Sequence, residues 1–257
     1  MNFDLPKPVR EPENKNEQIT ISPISPESTD DISAYYQFEV DQGFSQVNPK
    51  TTFDKMVDFR QQQIKENKLK VAMAKEGDQI VATTVVILEN GTMGKQIKDD
   101  EAWAAGTVVL PEKRGSGIGE KMAEAQDKIA REAGKKSILT AITNNNYPSM
   151  RLRLKVGYHL EGIDQRKNET NYKYRKNLAA ESPKDNNWKG MVEAGELKIF
   201  EGELNDSSPS EILIDPGNVK QIQNALNNNY EGVYLLRPED FEEPGQINNN
   251  LVVFVKK

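Results

Sequence analysis

The passage Val108 to Met122, VVLPEKRGSGIGEKM, limits the architecture of this 257-residue chain more than any other. A β-branched run ends at Pro111, which has no N–H to give a sheet; Arg114, glycines at 115, 117 and 119, and a helical pattern follow at once. Ile118, Met122, Ala125 and Ile129 fall on one face of that helix, Arg131 sits in its last turn and Gly134 supplies a C-terminal cap. Glycines between a strand and a helix let the backbone turn tightly and bring several N–H groups, with the positive end of the helix, close to an anion. Arg114 can add charge-assisted hydrogen bonds there. The plainer reading of the same residues is a flexible turn that starts a helix. A P-loop does not fit, because no Lys-Ser/Thr pair follows the glycines; a dinucleotide fingerprint starting at Gly115 fails because Glu120 stands where its third glycine belongs.

The flanking pattern extends this unit in both directions. Upstream, EQITISPIS predicts a short strand, Ser28, Thr29 and Asp30 can start a helix over PESTDDISAYYQFEV, and Phe53, Met56, Val57 and Ile64 recur at helical spacing in a second helix. KVAMAKEG and QIVATTVVILENG form a hairpin about Glu76, Gly77 and Asp78, and EAWAAGTVVLP is the strand that leads into the glycine loop. Downstream come the strand KSILTAIT, a helix YPSMRLRLK with Pro148 in its first turn, and the strands YHLEGIDQR and NYKYRKNL. A strand, helix and strand in succession predict a right-handed crossover in a mixed α/β layer. Residues 179–187 read as a linker, and residues 188–257 as a small α/β appendage with strands in ELKIFEG, EILIDP and LVVFVKK and a helix in NVKQIQNALNNN. The leader, residues 1–17, is rich in proline and charge, lacks the apolar segment of a secretory signal and is expected to be disordered.

Composition removes several chemistries. There is no cysteine, so disulfides, thiolate metal sites and a cysteine nucleophile are excluded, and a reducing cytoplasm is the expected location. His159 is the single histidine, which rules out a His-rich metal site in one chain and a Ser/His/Asp triad built elsewhere; no metal is expected. No stretch approaches the roughly 20 apolar residues of a membrane span. The net charge of −6 is uneven, since residues 179–257 hold fourteen Asp and Glu against seven Lys and Arg. That acidity disfavours a nucleic-acid partner and would attract a cationic amine.

With these residues in view, Arg114-Gly115-Ser116-Gly117-Ile118-Gly119 resembles the R-x-x-G-x-G/A signature of the GNAT N-acetyltransferase family. Asn146 to Tyr158, NYPSMRLRLKVGY, is similar to that family's second motif, N-x-x-A/S-x-x-L-Y-x-K-x-G-F, and one helix and one strand separate the two. The resemblance spans about residues 18–178 and is strongest from 101 to 162. It implies a central mixed, mostly antiparallel sheet flanked by helices, with acetyl-CoA as cosubstrate. The pyrophosphate would lie over the amides of residues 115–119, from Gly115 and Ser116 through Gly117 and Ile118 to Gly119, with Arg114 beside it. The backbone of Val108, Val109 and Leu110 would pair with the pantetheine amides, and Asn146, Ser149 and Arg153 would complete the cofactor side.

Acetyl transfer to an amine requires a base, an oxyanion stabiliser and an exit for thiolate. Glu101, thirteen residues before Arg114, resembles the general base of the family's histone-acetylating branch; the opposing reading is a solvated residue beside Asp99 and Asp100. The second motif departs from the family where Arg153 replaces the tyrosine that usually protonates the thiolate. Arginine keeps its proton, yet its charge can stabilise a thiolate. Tyr147 and Tyr158 offer nearby hydroxyls but read first as packing elements, so neither is assigned as the acid, and His159 reads as a strand residue rather than a base. The expected function is an enzyme that acetylates a primary amine on a small molecule, a peptide N-terminus or a lysine, with a cationic acceptor favoured. The alternative is a non-catalytic acyl-CoA-binding protein that keeps the cradle, and Arg153 favours it. The acidic appendage could hold the acceptor, mediate a homodimer or stand as an independent module.

Overall fold

The computed structural model describes residues 18–45, 52–166, 169–180, 187–242 and 246–257. The expected leader, residues 1–17, and most of the expected linker lie outside these residues. The first half of the chain runs β1 (Thr20–Pro23), α1 (Thr29–Asp41), α2 (Phe53–Lys65), β2 (Leu69–Glu76), β3 (Gln79–Ile87), β4 (Glu101–Val109) and α3 (Ile118–Glu132). The second half runs β5 (Ser137–Thr143), α4 (Tyr147–Lys155), β6 (His159–Arg166), β7 (Glu169–Asn177), α5 (Trp188–Glu193), β8 (Glu211–Ile214), α6 (Val219–Asn227), β9 (Tyr230–Leu236) and β10 (Leu251–Lys256). The ten strands form one mixed sheet in the order β1-β2-β3-β4-β5-β7-β6-β9-β10-β8, with helices on its faces, as the sequence predicts for the α/β class.

Each helix is positioned by an apolar stripe and a cap. Ser28 accepts a hydrogen bond from the Asp31 N–H to start α1, and Thr52 does the same for α2 from the Lys55 N–H. Ile32, Tyr35 and Tyr36 of α1 and Val57 and Ile64 of α2 are buried with Leu69, Val71, Val85 and Ile87 on one face of β2 and β3. On the other face Ile118, Met122, Ile129 and Ala130 of α3 pack with Ala72, Ala74, Val86 and Ala104. At Gly119 α3 meets α4, where a Cβ would stand 3.4 Å from the Leu152 side chain, an ordinary packing distance.

The feature that creates a cleft is in the middle of the sheet. Strands β4 and β5 run parallel and are paired only at Glu101–Ser137, Ala102–Ile138 and Trp103–Leu139. Beyond Trp103 they share no pair, so the sheet opens into a wedge. A bulge reinforces the divergence: the β3–β4 register shifts between Thr83 and Val85, and Gly106, opposite that shift, has φ +48°. The positive φ favours glycine there, and a Cβ at Gly106 would also displace the exposed Phe44 ring, whose Cε1 lies 2.8 Å from that point. The carbonyls at the bulge are satisfied from below, since the buried Gln126 side chain donates to Val85 O at 3.1 Å and Ala105 O at 3.3 Å.

Residues 188–257 continue the same sheet. Leu160 of β6 pairs with Gly232 of β9, and a Cβ on Gly232 would come within 3.0 Å of both Leu160 and Val252. Arg151 of α4 bonds Asp240 at 2.6 Å, His159 Nδ1 lies 3.1 Å from Glu231, and the Tyr172 hydroxyl donates to Pro216 O. Two details of this region differ from the sequence reading. The ELKIFEG run makes only an isolated bridge, Ile199 to Leu213, and YEGVYLL supplies the strand β9 in its place. Among the described residues no helix is long and apolar enough to cross a membrane.

Candidate active site

The wedge between β4 and β5 opens into a cleft of about 870 Å³ that runs from the glycine loop to α1 and α2. At the loop end, Gly115 and Gly117 have φ of +80° and +84°, and nothing lies within 4 Å of a Cβ built on either. Conformation, not crowding, therefore requires glycine there. Gly117 is the N-cap of α3 and has no side chain to cap it. The N–H groups of residues 115–119 donate to no acceptor among the described residues, so five donors remain at the head of a 15-residue helix. The loop is braced from within: Ser116 Oγ donates to Lys113 O at 2.6 Å, Arg114 Nε donates to Val109 O at 3.2 Å, and Lys113 pairs with Glu76.

The sequence-predicted cofactor residues distribute along this end. Val108, Val109, Arg114, Gly115, Gly119, Asn146, Ser149 and Arg153 all line the cleft. Leu110, Ser116, Gly117 and Ile118 stand behind or beside the wall, with Leu110 and Ile118 buried in the core. Asn146 caps α4 by accepting from the Ser149 N–H at 3.3 Å, which fixes the helix head at the β5 side of the opening.

Arg153 occupies the junction. It is buried on α4 and lines the cleft, where Nη1 donates to Gln126 Oε1 at 2.8 Å and to Tyr158 Oη at 3.3 Å, and Nη2 donates to Thr107 Oγ1 at 3.3 Å. The same guanidinium lies 5.0 Å from the Tyr158 ring centroid. All three bonding partners are neutral, so the cleft receives a fixed positive charge that no carboxylate neutralises by contact. Tyr158 is fully buried and burial pushes its phenol pKa up, which suits an acceptor of the Arg153 bond and not a proton donor. Neither Tyr147 nor Tyr158 lines the cleft.

The geometry corrects the expectation for Glu101. It lies at the closed end of the wedge, 5% exposed, outside the cleft wall, where Arg175 Nη1 bonds Oε1 at 2.7 Å and the Lys98 N–H bonds Oε2 at 3.0 Å. Burial alone would raise its pKa, but those two donors outweigh it and hold the carboxyl below the usual glutamate range. Such a carboxylate is an ion-pair partner and a poor base. The solvated alternative fails as well, because the Arg175 and Lys98 bonds hold the side chain inside.

A different carboxylate faces the opening. Glu39 of α1 is 1% exposed, lines the cleft and reaches Gly106, with Oε1 3.5 Å from where a Cβ would stand. Ser45 Oγ donates to Oε2 at 2.7 Å, whereas buried Oε1 has no hydrogen-bond partner. Desolvation raises the Glu39 pKa above the usual range, and Ser45, Arg60 and the nearby Tyr35 hydroxyl offset it only in part. The sequence held a signal for this residue. In TDDISAYYQFEVD, Glu39 follows Ile32, Tyr35 and Tyr36 by seven, four and three residues, so a carboxylate stands on the buried stripe. Among the described residues no group of three or more His, Cys, Asp or Glu side chains could hold a metal ion.

Comparison with known proteins follows this geometry. Residues 32–158 match the model of the acetyltransferase (GNAT) family. The fold is similar to a GNAT-family acetyltransferase of Streptococcus pneumoniae, at 16% identity and TM-score 0.50 over 62% of this chain and 99% of that one. It is also similar to the spermidine/spermine N-acetyltransferase SpeG of Vibrio cholerae, at 13% identity and TM-score 0.51 over 64% of this chain and 96% of that one. The yncA protein of Salmonella typhimurium, whose structure contains acetyl-CoA, matches at 15% identity and TM-score 0.49, over 65% of this chain and 98% of that one. No curated protein matches the chain by sequence.

Proposed function

The chain is a member of the acetyltransferase (GNAT) family through its residues 32–158, and from that premise we propose that it moves an acetyl group from acetyl-CoA to a primary amine by direct attack on the thioester. The observation that carries this reading is the buried, unpartnered Oε1 of Glu39 at the mouth of the β4–β5 wedge. The five unused N–H groups of residues 115–119 and Arg114 fit a pyrophosphate, and the unpaired edge of β4 past Trp103 fits the amides of a pantetheine arm. A spermidine/spermine N-acetyltransferase among proteins of this fold agrees with an amine acceptor.

Each step then has a group. Glu39 removes a proton from the acceptor ammonium, and its raised pKa brings its basicity nearer the working pH than an ordinary glutamate achieves. The amine nitrogen bonds the thioester carbon, and the backbone of β4 beyond Trp103, which pairs with no residue of β5, can offer N–H groups to the oxygen that gains charge. The C–S bond breaks and the thiolate leaves; the proton that the acylated nitrogen must still lose passes to that thiolate, which leaves a neutral amide and the free thiol of CoA. An arginine keeps its proton and is a poor general acid, so the contribution of Arg153 is electrostatic; a thiol pKa of about 8.5 makes thiolate a tolerable leaving group without a dedicated acid.

Arg153 also favours the second reading, an acyl-CoA-binding protein without turnover. Calorimetry with acetyl-CoA, paired with thiol release over a panel of amines, separates the two. The enzyme reading expects binding and acceptor-dependent release; tight binding with no release on any amine would replace it with the binder.

A further inference from the structure

The α1–α2 end of the cleft carries charges of both signs. Glu39 is the only carboxylate among the described lining residues, whereas Arg60 and Lys95 stand at the same end and Arg114 and Arg153 at the other. A polycation would find one negative group and several positive ones. Arg60 is itself an anomaly: it lies on the buried stripe of α2 with Val57 and Ile64, is 7% exposed, and makes no ion pair within 4.0 Å among the described residues. Its Nε is buried without a hydrogen-bond partner, and its Nη1 donates to the neutral thioether of Met93 at 2.9 Å. A thioether is a weak acceptor for a guanidinium, and a carboxylate in its place would form a charge-assisted bond. Glu39 and Arg60 thus share one cleft with opposite charges, and each retains a buried polar atom that the protein leaves unsatisfied.

We propose that the acceptor is a primary amine that also carries a carboxylate, an amino acid or short peptide, with its amine facing Glu39 and its carboxylate paired to Arg60. This rests on the acetyl-transfer reading above and narrows its substrate class. It also replaces the cationic acceptor that net charge alone suggested. Met93 is 45% exposed and stands in a turn at φ +52°, so the weak partner it offers Arg60 sits at the cleft rim where an acceptor can displace it.

The experiment compares amino acids and short peptides with the same amines lacking the carboxylate, and with spermidine, in the full chain. The expected result is a kcat/KM at least about tenfold higher for carboxylate-bearing amines, roughly the 1.4 kcal/mol of one charge-assisted bond. In Arg60→Leu that ratio falls toward one, and Arg60→Lys restores part of it. A role of Arg60 confined to holding Glu39 would lower both classes alike and leave the ratio intact, which overturns the proposal, as does a preference for spermidine. A second readout needs no turnover: N-acetyl amino acids, in the presence of CoA, should protect wild type against thermal unfolding more than the matching N-acetyl amines do. If no amine is turned over but this Arg60-dependent difference persists, the transfer reading fails and the carboxylate site stands; loss of the difference sinks the site.

Discussion

Two buried glutamates stand at opposite ends of the β4–β5 wedge, Glu101 at the start of β4 and Glu39 on α1, and their fates differ because only one has a countercharge in contact. Glu101 is at the closed end, held by Arg175 at 2.7 Å and by a backbone N–H, and its pKa is depressed. Glu39 reaches the open end with one hydroxyl donor and one bare oxygen, and its pKa is raised. Burial penalises both charges; what decides their use is whether the protein or a ligand supplies the compensation. Position along a strand matters less than which side of the splay a carboxylate serves.

The largest effect that tests this contrast is on turnover. Glu39→Gln should lower kcat by about 10²–10⁴-fold, the usual worth of a positioned base, with acetyl-CoA affinity by calorimetry within about twofold of wild type. Retained turnover would remove Glu39 from the mechanism and make the two carboxylates equivalent. Arg153→Met comes next. It deletes the charge but keeps the length, and should cost about 10²-fold in kcat if that charge acts on the developing thiolate; a change confined to KM would recast it as a binding residue. Glu101→Gln should leave the chemistry in place and act on stability, costing about 1.5–3 kcal/mol through the loss of charge-assisted bonds, read by chemical denaturation. The sign follows from the depressed pKa: the Glu101 contribution is complete above the unfolded-state pKa and is lost as pH falls through the folded value.

Much of the fold could be read from residues in isolation. The hairpin of β2 and β3, the β4–α3–β5 crossover and the glycine loop all follow from periodicity and punctuation, because each pattern is local. Strand β9 escaped because Glu231 and Gly232 interrupt its short apolar run, and its pairing with β6 and β10 is decided only by the assembled sheet. The six-residue α5 is too short for a helical stripe to declare itself. In the proposed site, the glycine loop and the head of α4 were marked by two motifs, whereas Glu39 and Arg60 were hidden in plain periodicity. Each sits on an apolar helix face, Glu39 after Ile32 and Tyr35, Arg60 between Val57 and Ile64. A charged residue on a buried stripe is a stronger pointer to chemistry than a carboxylate placed by analogy along a strand.

The most direct test is the pH dependence of kcat/KM in wild type, Glu39→Gln and Glu101→Gln. Wild type should gain activity as pH rises through an apparent pKa above the ordinary glutamate range, Glu101→Gln should keep that limb, and Glu39→Gln should lack it. A limb that survives in Glu39→Gln, or vanishes in Glu101→Gln, would contradict the assignment of the base to the open end of the wedge.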